Sequence, residues 1–312
     1  MECLGSALTE VSAMAFYRPE PTMQEHLAAL IDRLAAEGRP GLHDRIAVTW
    51  VRYDQSMPVT GSGCGASWAD QKLMYPASVV KLIYAVAAEH WLERDVLPDS
   101  EELRRALLDM LADSSNDATG LIVDFLTGTT SGPALRSPAW EQWQQQRLVV
   151  NQWLKDFGWP ELDQVNCCQK TWSDGPYGRE KAFYGEGNSN RNALSTAAVA
   201  RMLEAVMTDG VLSPPACQRL RNRLLRSLDP EARASDPENQ VDGFLGEGLS
   251  PVSTLWSKAG WMSQARHDAA WWCLNNEPPS LLVVFTEGAE LANDEALLPA
   301  IAHNLALFAP SD

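Results

Sequence analysis

The chain has 312 residues, enough for one large or two ordinary domains, and its 45% apolar and 21% charged content describes a globular protein with a sizeable core, which excludes a disordered one. Its 41 acids against 25 bases give a formal charge of −16 spread along the chain, which argues against nucleic acid or an anionic membrane as a partner. Six cysteines form no Cys-x-x-Cys pair and five scattered histidines no His-x-x-x-His, so free thiols in a reducing compartment are expected, with no metal and no cofactor.

Residues 1–21 lack a basic start and are interrupted by Glu10, so they read as an N-terminal tail and not as a secretory signal. With no run long enough to span a bilayer, a cytoplasmic protein is expected. Residues 22–37 place Leu27, Leu30, Ile31 and Leu34 at helical spacing and stop at Gly38. Ile46 to Tyr53 alternates as a strand, and Gly61-Ser62-Gly63 punctuates before a second. Helical patterns follow over 78–93, 100–111, 117–126, 140–157 and 195–208. Strand-like runs return at 253–257, 269–274 and 281–286, and a helix over 294–308 closes the chain. Neither group of strands is large enough to be stable alone. The expected fold class is therefore α/β (α+β): an antiparallel sheet built from both chain ends and flanked by helices, plus an all-helical lobe. One unit is expected over 22–312, with an α/β lobe from 22–70 and 210–312 and a helical lobe over 71–209. A stretch rich in Trp, Gln, Gly and Pro near 128–187 reads as an insertion. There Trp140, Trp143, Trp153 and Trp159 fit the buried side of a helix, while Trp271 and Trp272 put one ring on each face of a strand.

The stretch with the most chemistry is Tyr75 to Val86, where Ser78-Val79-Val80-Lys81 opens an apolar helix just after Pro76. Three residues apart on a helix, Ser78 and Lys81 share one face. A serine hydroxyl needs a base to become a nucleophile, and a lysine in apolar surroundings loses part of its preference for charge, so Lys81 is the candidate base. Unpaired N–H groups of the helix start lie beside Ser78, where charge develops on a bound carbonyl oxygen. Alone, such a spacing arises by chance about once in a chain of this length, and a helix-start serine with an exposed lysine is its plain reading.

Two further motifs follow in order. Ser114-Ser115-Asn116 comes just after the helix ending near Leu111, and Lys258-Ala259-Gly260 stands at the end of the first strand after the helical lobe. Singly, the first reads as a helix cap and the second as an exposed strand end. Together with Ser78-Val79-Val80-Lys81 they resemble the three signature elements of the penicillin-recognising serine enzymes, the class A β-lactamases and penicillin-binding proteins, whose layout of elements the chain shares.

The resemblance implies a serine hydrolase that acts on small amide, β-lactam or D-alanyl-amide-like substrates through an acyl-enzyme. It makes Ser78 the acylated nucleophile, Lys81 its base or relay, and Ser114 the hydroxyl passing a proton to the leaving nitrogen. Asn116 holds the substrate amide, Lys258 supplies positive charge, and Gly260 shapes the turn. The oxyanion pocket comes from the backbone N–H groups of Ser78 and Trp261. Ala259 departs from the family's usual Thr or Ser, which removes a hydroxyl that binds the substrate carboxylate. Arg266 or His267 is a partial replacement, and a solvated charge is the plain alternative for either. The deacylating acid falls on Glu180, by its distance from the following helix, with Glu186 or Asn188 as substitutes. Tyr184 stands where the family holds its hydrolytic water with Asn, so slow deacylation is expected. A cytosolic amidase similar to serine-dependent glutaminases and a non-catalytic binding descendant are the alternatives, and the oligomeric state stays open.

Overall fold

The computed structural model describes residues 16–275 and 277–308, so most of the tail expected over 1–21, and Cys3 with it, lies outside the described residues. Strand β1 (Arg18–Pro19) leads into α1 (Pro21–Ala36), a short α2 (Leu42–Arg45), and strands β2 (Ile46–Arg52) and β3 (Cys64–Trp68). The middle of the chain is helical: α3 (Val80–Glu93), α4 (Glu101–Ala112), α5 (Asn116–Thr127), α6 (Ala139–Arg147), α7 (Val149–Asp156), α8 (Gly178–Tyr184), α9 (Thr196–Met207) and α10 (Pro214–Leu224). Then come β4 (Leu225–Arg226), α11 (Pro230–Ala234), β5 (Ser253–Met262), β6 (Ala265–Leu274), β7 (Ser280–Glu287), α12 (Ala289–Ala292) and α13 (Leu297–Ala306).

The strands form one sheet in the order β1-β3-β2-β7-β6-β5-β4, antiparallel except for β1 beside β3. The two chain ends are joined where β2 pairs with β7, from Ile46↔Thr286 to Arg52↔Ser280. Side chains alternate between two cores, as the two-residue period of a strand requires. Ala47, Val51, Val283, Phe285 and Trp271 pack toward α3, α9 and the helical lobe. Ile46, Val48, Trp50, Leu282, Val284 and Trp272 pack toward α1 and α13. Fully burying one such side chain is worth about 1.5–3 kcal/mol, so each face anchors the sheet firmly.

Serines start three of the lobe's helices. Ser100, Ser115 and Ser195 each accept a backbone N–H from three residues on, at 3.1–3.2 Å, a bond worth about 1 kcal/mol. Because Ser115 caps α5, its neighbour Ser114 is released from that duty.

Two elements differ from the sequence reading. Strands β5 and β6 run on to Met262 and back from Ala265, so Lys258-Ala259-Gly260 lies inside β5 and not at its end; ten paired positions with β6 override the weak strand preference of Lys, Ala and Gly. The helix expected over 140–157 is divided at Leu148, whose N–H is shared between Gln144 O and Gln145 O. No helix among the described residues is long and apolar enough to cross a membrane.

Candidate active site

Pro76 leads into a single 3-10 turn, Ala77–Val79, that runs directly into α3 and carries Ser78 at its centre. Ala77 stands at φ 46°, a left-handed conformation that costs a residue with a Cβ about 1–2 kcal/mol. Contacts from the sheet hold it there. His267 on β6 accepts the Thr286 N–H at Nδ1 (3.1 Å), which leaves Nε2–H to donate to Tyr75 O at 2.8 Å. Burial pushes that imidazole down to about 4, so it stays neutral. It faces the backbone before Ser78, not the cleft, and so does not replace the hydroxyl missing at Ala259. Gly260 presses on the turn from β5: a Cβ there would stand 2.9 Å from Ser78 N and 3.0 Å from Val79 N. Only glycine lets the strand edge come this close to the first turn of the helix.

Lys81, one helical turn on, is wholly buried. Its Nζ donates to Ser114 O, to Ser114 Oγ at 3.2 Å and to Asn116 Oδ1 at 2.9 Å. Burial with no carboxylate partner lowers its pKa to about 7. Ser114 is also left-handed, at φ 55°, and that turn carries its hydroxyl inward between two amines: Lys258 Nζ donates to Ser114 Oγ at 3.0 Å from the other side. Burial and the nearby Lys81 push Lys258 well below the ordinary lysine range. Gln240, which the sequence reading did not single out, accepts from Lys258 Nζ and from Ala259 N (3.3 Å) while donating to Leu111 O and Ala112 O (3.0 and 2.7 Å). It ties β5 to the end of α4. No spacing or motif marks it in the loop before β5.

Ser78 lines two cavities. One, of about 700 Å³, is bordered by Ser114, Asn116, Ala259, Gly260, Trp261, Arg266 and the loop around Gln240. The other, of about 610 Å³, is bordered by Tyr75, Asn116, Trp261, Met262, Arg191 and, from one loop, Thr171, Trp172, Ser173, Gly175 and Pro176. Asn116 spans both, and its Nδ2 reaches Ser173 Oγ at 3.3 Å. Trp261 stands at the shared mouth, half exposed at 54%, its indole N–H anchored on Ala292 O at 2.8 Å. Arg266 borders the larger cavity but is buried, bonded to Ala292 O (2.9 Å) and Gly243 O (3.1 Å), with Glu295 at 3.5 Å. Ser78, Lys81, Ser114, Asn116, Lys258, Gly260 and Trp261 are thus brought together, with Arg266 in the wall.

Glu180 is not. It is wholly buried and borders neither cavity. It pairs with Arg147 of α6, accepts from Ser131 at 2.8 Å and has Lys170 at 3.9 Å, while Asp124 closes the cluster on Lys170 (2.6 Å) and Arg147 (3.6 Å). The expectation of a deacylating acid at Glu180 is corrected accordingly: the carboxylate neutralises a buried guanidinium, which costs several kcal/mol to leave unpaired. Of its substitutes, Glu186 is exposed outside the cleft, whereas Asn188 borders the smaller cavity.

Against known proteins, the family model described as the β-lactamase enzyme family matches residues 98–306. The chain belongs to the β-lactamase enzyme family. No curated protein matches it in sequence. Solved structures of the family share its fold at low identity. A β-lactamase from Chitinophaga pinensis is 15% identical, covering 91% of this chain and 98% of that one with a TM-score of 0.63. A β-lactamase from Streptosporangium roseum is 18% identical over 90% and 97%, with a TM-score of 0.61. A mutant of PBP-A, solved as an acyl-enzyme complex with penicillin G, is 15% identical over 93% and 98%, with a TM-score of 0.61.

Proposed function

We propose that this β-lactamase-family protein is a serine amidohydrolase that opens β-lactam or D-alanyl-amide-like bonds through an acyl-enzyme on Ser78 and releases the acyl group slowly. The observation that carries this reading is Ser114 Oγ held between Lys81 and Lys258, two lysines whose charge burial disfavours, beside a nucleophile open to the cleft. Neutral Lys81 takes the Ser78 proton as Oγ attacks the carbonyl carbon, and the oxyanion lies against the Ser78 and Trp261 N–H groups. The C–N bond then breaks. Ser114 gives its proton to the leaving nitrogen and recovers one from the Lys81 ammonium, so Lys81 and Ser114 return to their starting states and the net change is one proton lost by Ser78 and one gained by the product amine.

Deacylation needs a base for water, and the residues bordering the smaller cavity include no Asp or Glu. That supports an acyl-enzyme that accumulates. A cytoplasmic setting belongs to the same proposal and rests on the free thiols of Cys64, Cys167, Cys168 and Cys217. Intact-protein mass spectrometry after incubation with benzylpenicillin tests the reading. A single penicilloyl adduct that maps to Ser78 and is absent from Ser78→Ala is expected; a wild-type protein that stays unmodified overturns it.

A further inference from the structure

Resting on that acylation reading, we propose that Arg191 makes the smaller cavity an anion subsite, so that the acyl group this protein takes carries a carboxylate on its side chain. The cavities are not equivalent. Ser114, which protonates the leaving nitrogen, borders only the larger one, so the leaving group lies there and the acyl remainder in the smaller. In a chain with 41 acids and 25 bases, the only charged residue bordering the smaller cavity, among the described residues, is Arg191. The larger one is bordered by five acids, Asp113, Asp236, Glu238, Asp242 and Glu295, and by two arginines that are already paired, Arg233 with Asp242 and Arg266 with Glu295.

Arg191 is both oriented and uncompensated. Its guanidinium carbon stands 3.4 Å from the centroid of the Tyr75 ring, a stacking contact that fixes the plane and leaves the edge N–H groups free. Its one side-chain hydrogen bond among the described residues, at 3.3 Å, goes to Met262 Sδ, a weak acceptor. No carboxylate among the described residues lies within ion-pairing distance of it. The backbone beneath is fixed, since Arg191 N donates to Asn188 O at 3.0 Å and Arg191 O accepts from Asn166 Nδ2 at 2.9 Å. A planar guanidinium presented edge-on, with no internal anion, matches a carboxylate through two parallel N–H···O bonds.

Benzylpenicillin and α-carboxybenzylpenicillin differ only by a carboxylate on the acyl side chain, so their acylation rate constants on wild-type protein read the subsite directly. The carboxylated compound should react about tenfold faster, the effect of one charge-assisted pair in a partly closed site. Arg191→Gln should bring the ratio of the two rates close to one, and Arg191→Lys should restore part of it. Equal rates on the wild-type protein, or a preference unchanged in Arg191→Gln, overturn the proposal. If neither compound acylates Ser78, the acylation reading has failed, and the affinities of both compounds for Ser78→Ala, measured by calorimetry, still decide the subsite. A preference there for the carboxylated compound supports it; equal affinities refute it.

Discussion

The two walls of the cleft are held by different means. On the side proposed for the leaving group each residue sits on or beside a regular element: Ser114 between α4 and α5, Lys258 inside β5, and Gln240 bonded to Lys258 and to the end of α4. On the side proposed for the acyl group the wall is the mostly irregular stretch between α7 and α9, broken by the short α8, and side-chain amides hold it. Asn192 Oδ1 accepts the N–H groups of Cys168 and Gln169, and Asn166 bonds to Asn190 and to Arg191 O. Beneath it lies the ion cluster of Asp124, Arg147, Lys170 and Glu180. Proton transfer needs positions fixed to a fraction of an ångström, which helices and paired strands supply, whereas selecting an acyl group tolerates a wall that can be lengthened or rebuilt.

The largest expected effect comes from separating the regular wall from the nucleophile. Gly260→Val places side-chain atoms against backbone N–H groups that cannot move away cheaply. Acylation should fall by about 10²-fold or more and stability by about 1–3 kcal/mol, read from penicillin acylation and denaturant midpoints. Acylation at the wild-type rate would mean that β5 does not form the oxyanion pocket. A smaller effect is graded by pH. With the Lys81 pKa near 7 and its neutral form as base, acylation should fall about tenfold per pH unit below that value and level off above it. A flat profile from pH 5 to 8, measured with benzylpenicillin, would move the base elsewhere. The linked stability has the same sign: the folded lysine loses its proton near 7 but the unfolded one near 10.5, so the unfolded chain binds more protons between them and stability rises with pH across that window.

The smallest effect on chemistry belongs to the irregular wall. Glu180→Gln leaves Arg147 with only the more distant Asp124 at 3.6 Å as an anion, so about 3 kcal/mol of stability should be lost in chemical denaturation. The release of acyl groups should slow by far less than the about 10²-fold or more that loss of a general base brings, as read from the slow phase after a burst with a chromogenic cephalosporin.

The same contrast decides what the sequence reveals. Ser78 with Lys81 is legible because fixed helical geometry converts spacing into position, Ser114 with Asn116 because both flank the Ser115 cap that starts α5, and the alternation of Trp271 and Trp272 survives because sheet faces impose it. Glu180 was located by its distance along the chain from the next helix. Distance along the chain does not fix where the short α8 that bears it packs, and Arg147, which stands 33 residues earlier, captured the carboxylate. Gln240 and Arg191 carry no local signal at all, since each acquires its role only when the loop that bears it folds against β5 or Tyr75. The extent of β5 was likewise set by its partner strand and not by its own composition.

The pairing of strands from both ends of the chain has a consequence for how the protein is made. Ser114 and Lys258 are 144 residues apart, Tyr75 and His267 192, and β2 finds β7 only near the C-terminus. A chain leaving the ribosome therefore exposes the Ser78 turn long before β5 and β6 arrive to brace it, and the left-handed Ala77 has nothing to hold it until those strands emerge. Contacts this distant in sequence form slowly. During that interval the half-built sheet shows one face of Val, Ile and Trp side chains and an open edge at β2, the kind of surface that makes incomplete chains prone to aggregate, and the proposed site is completed only at the end of synthesis.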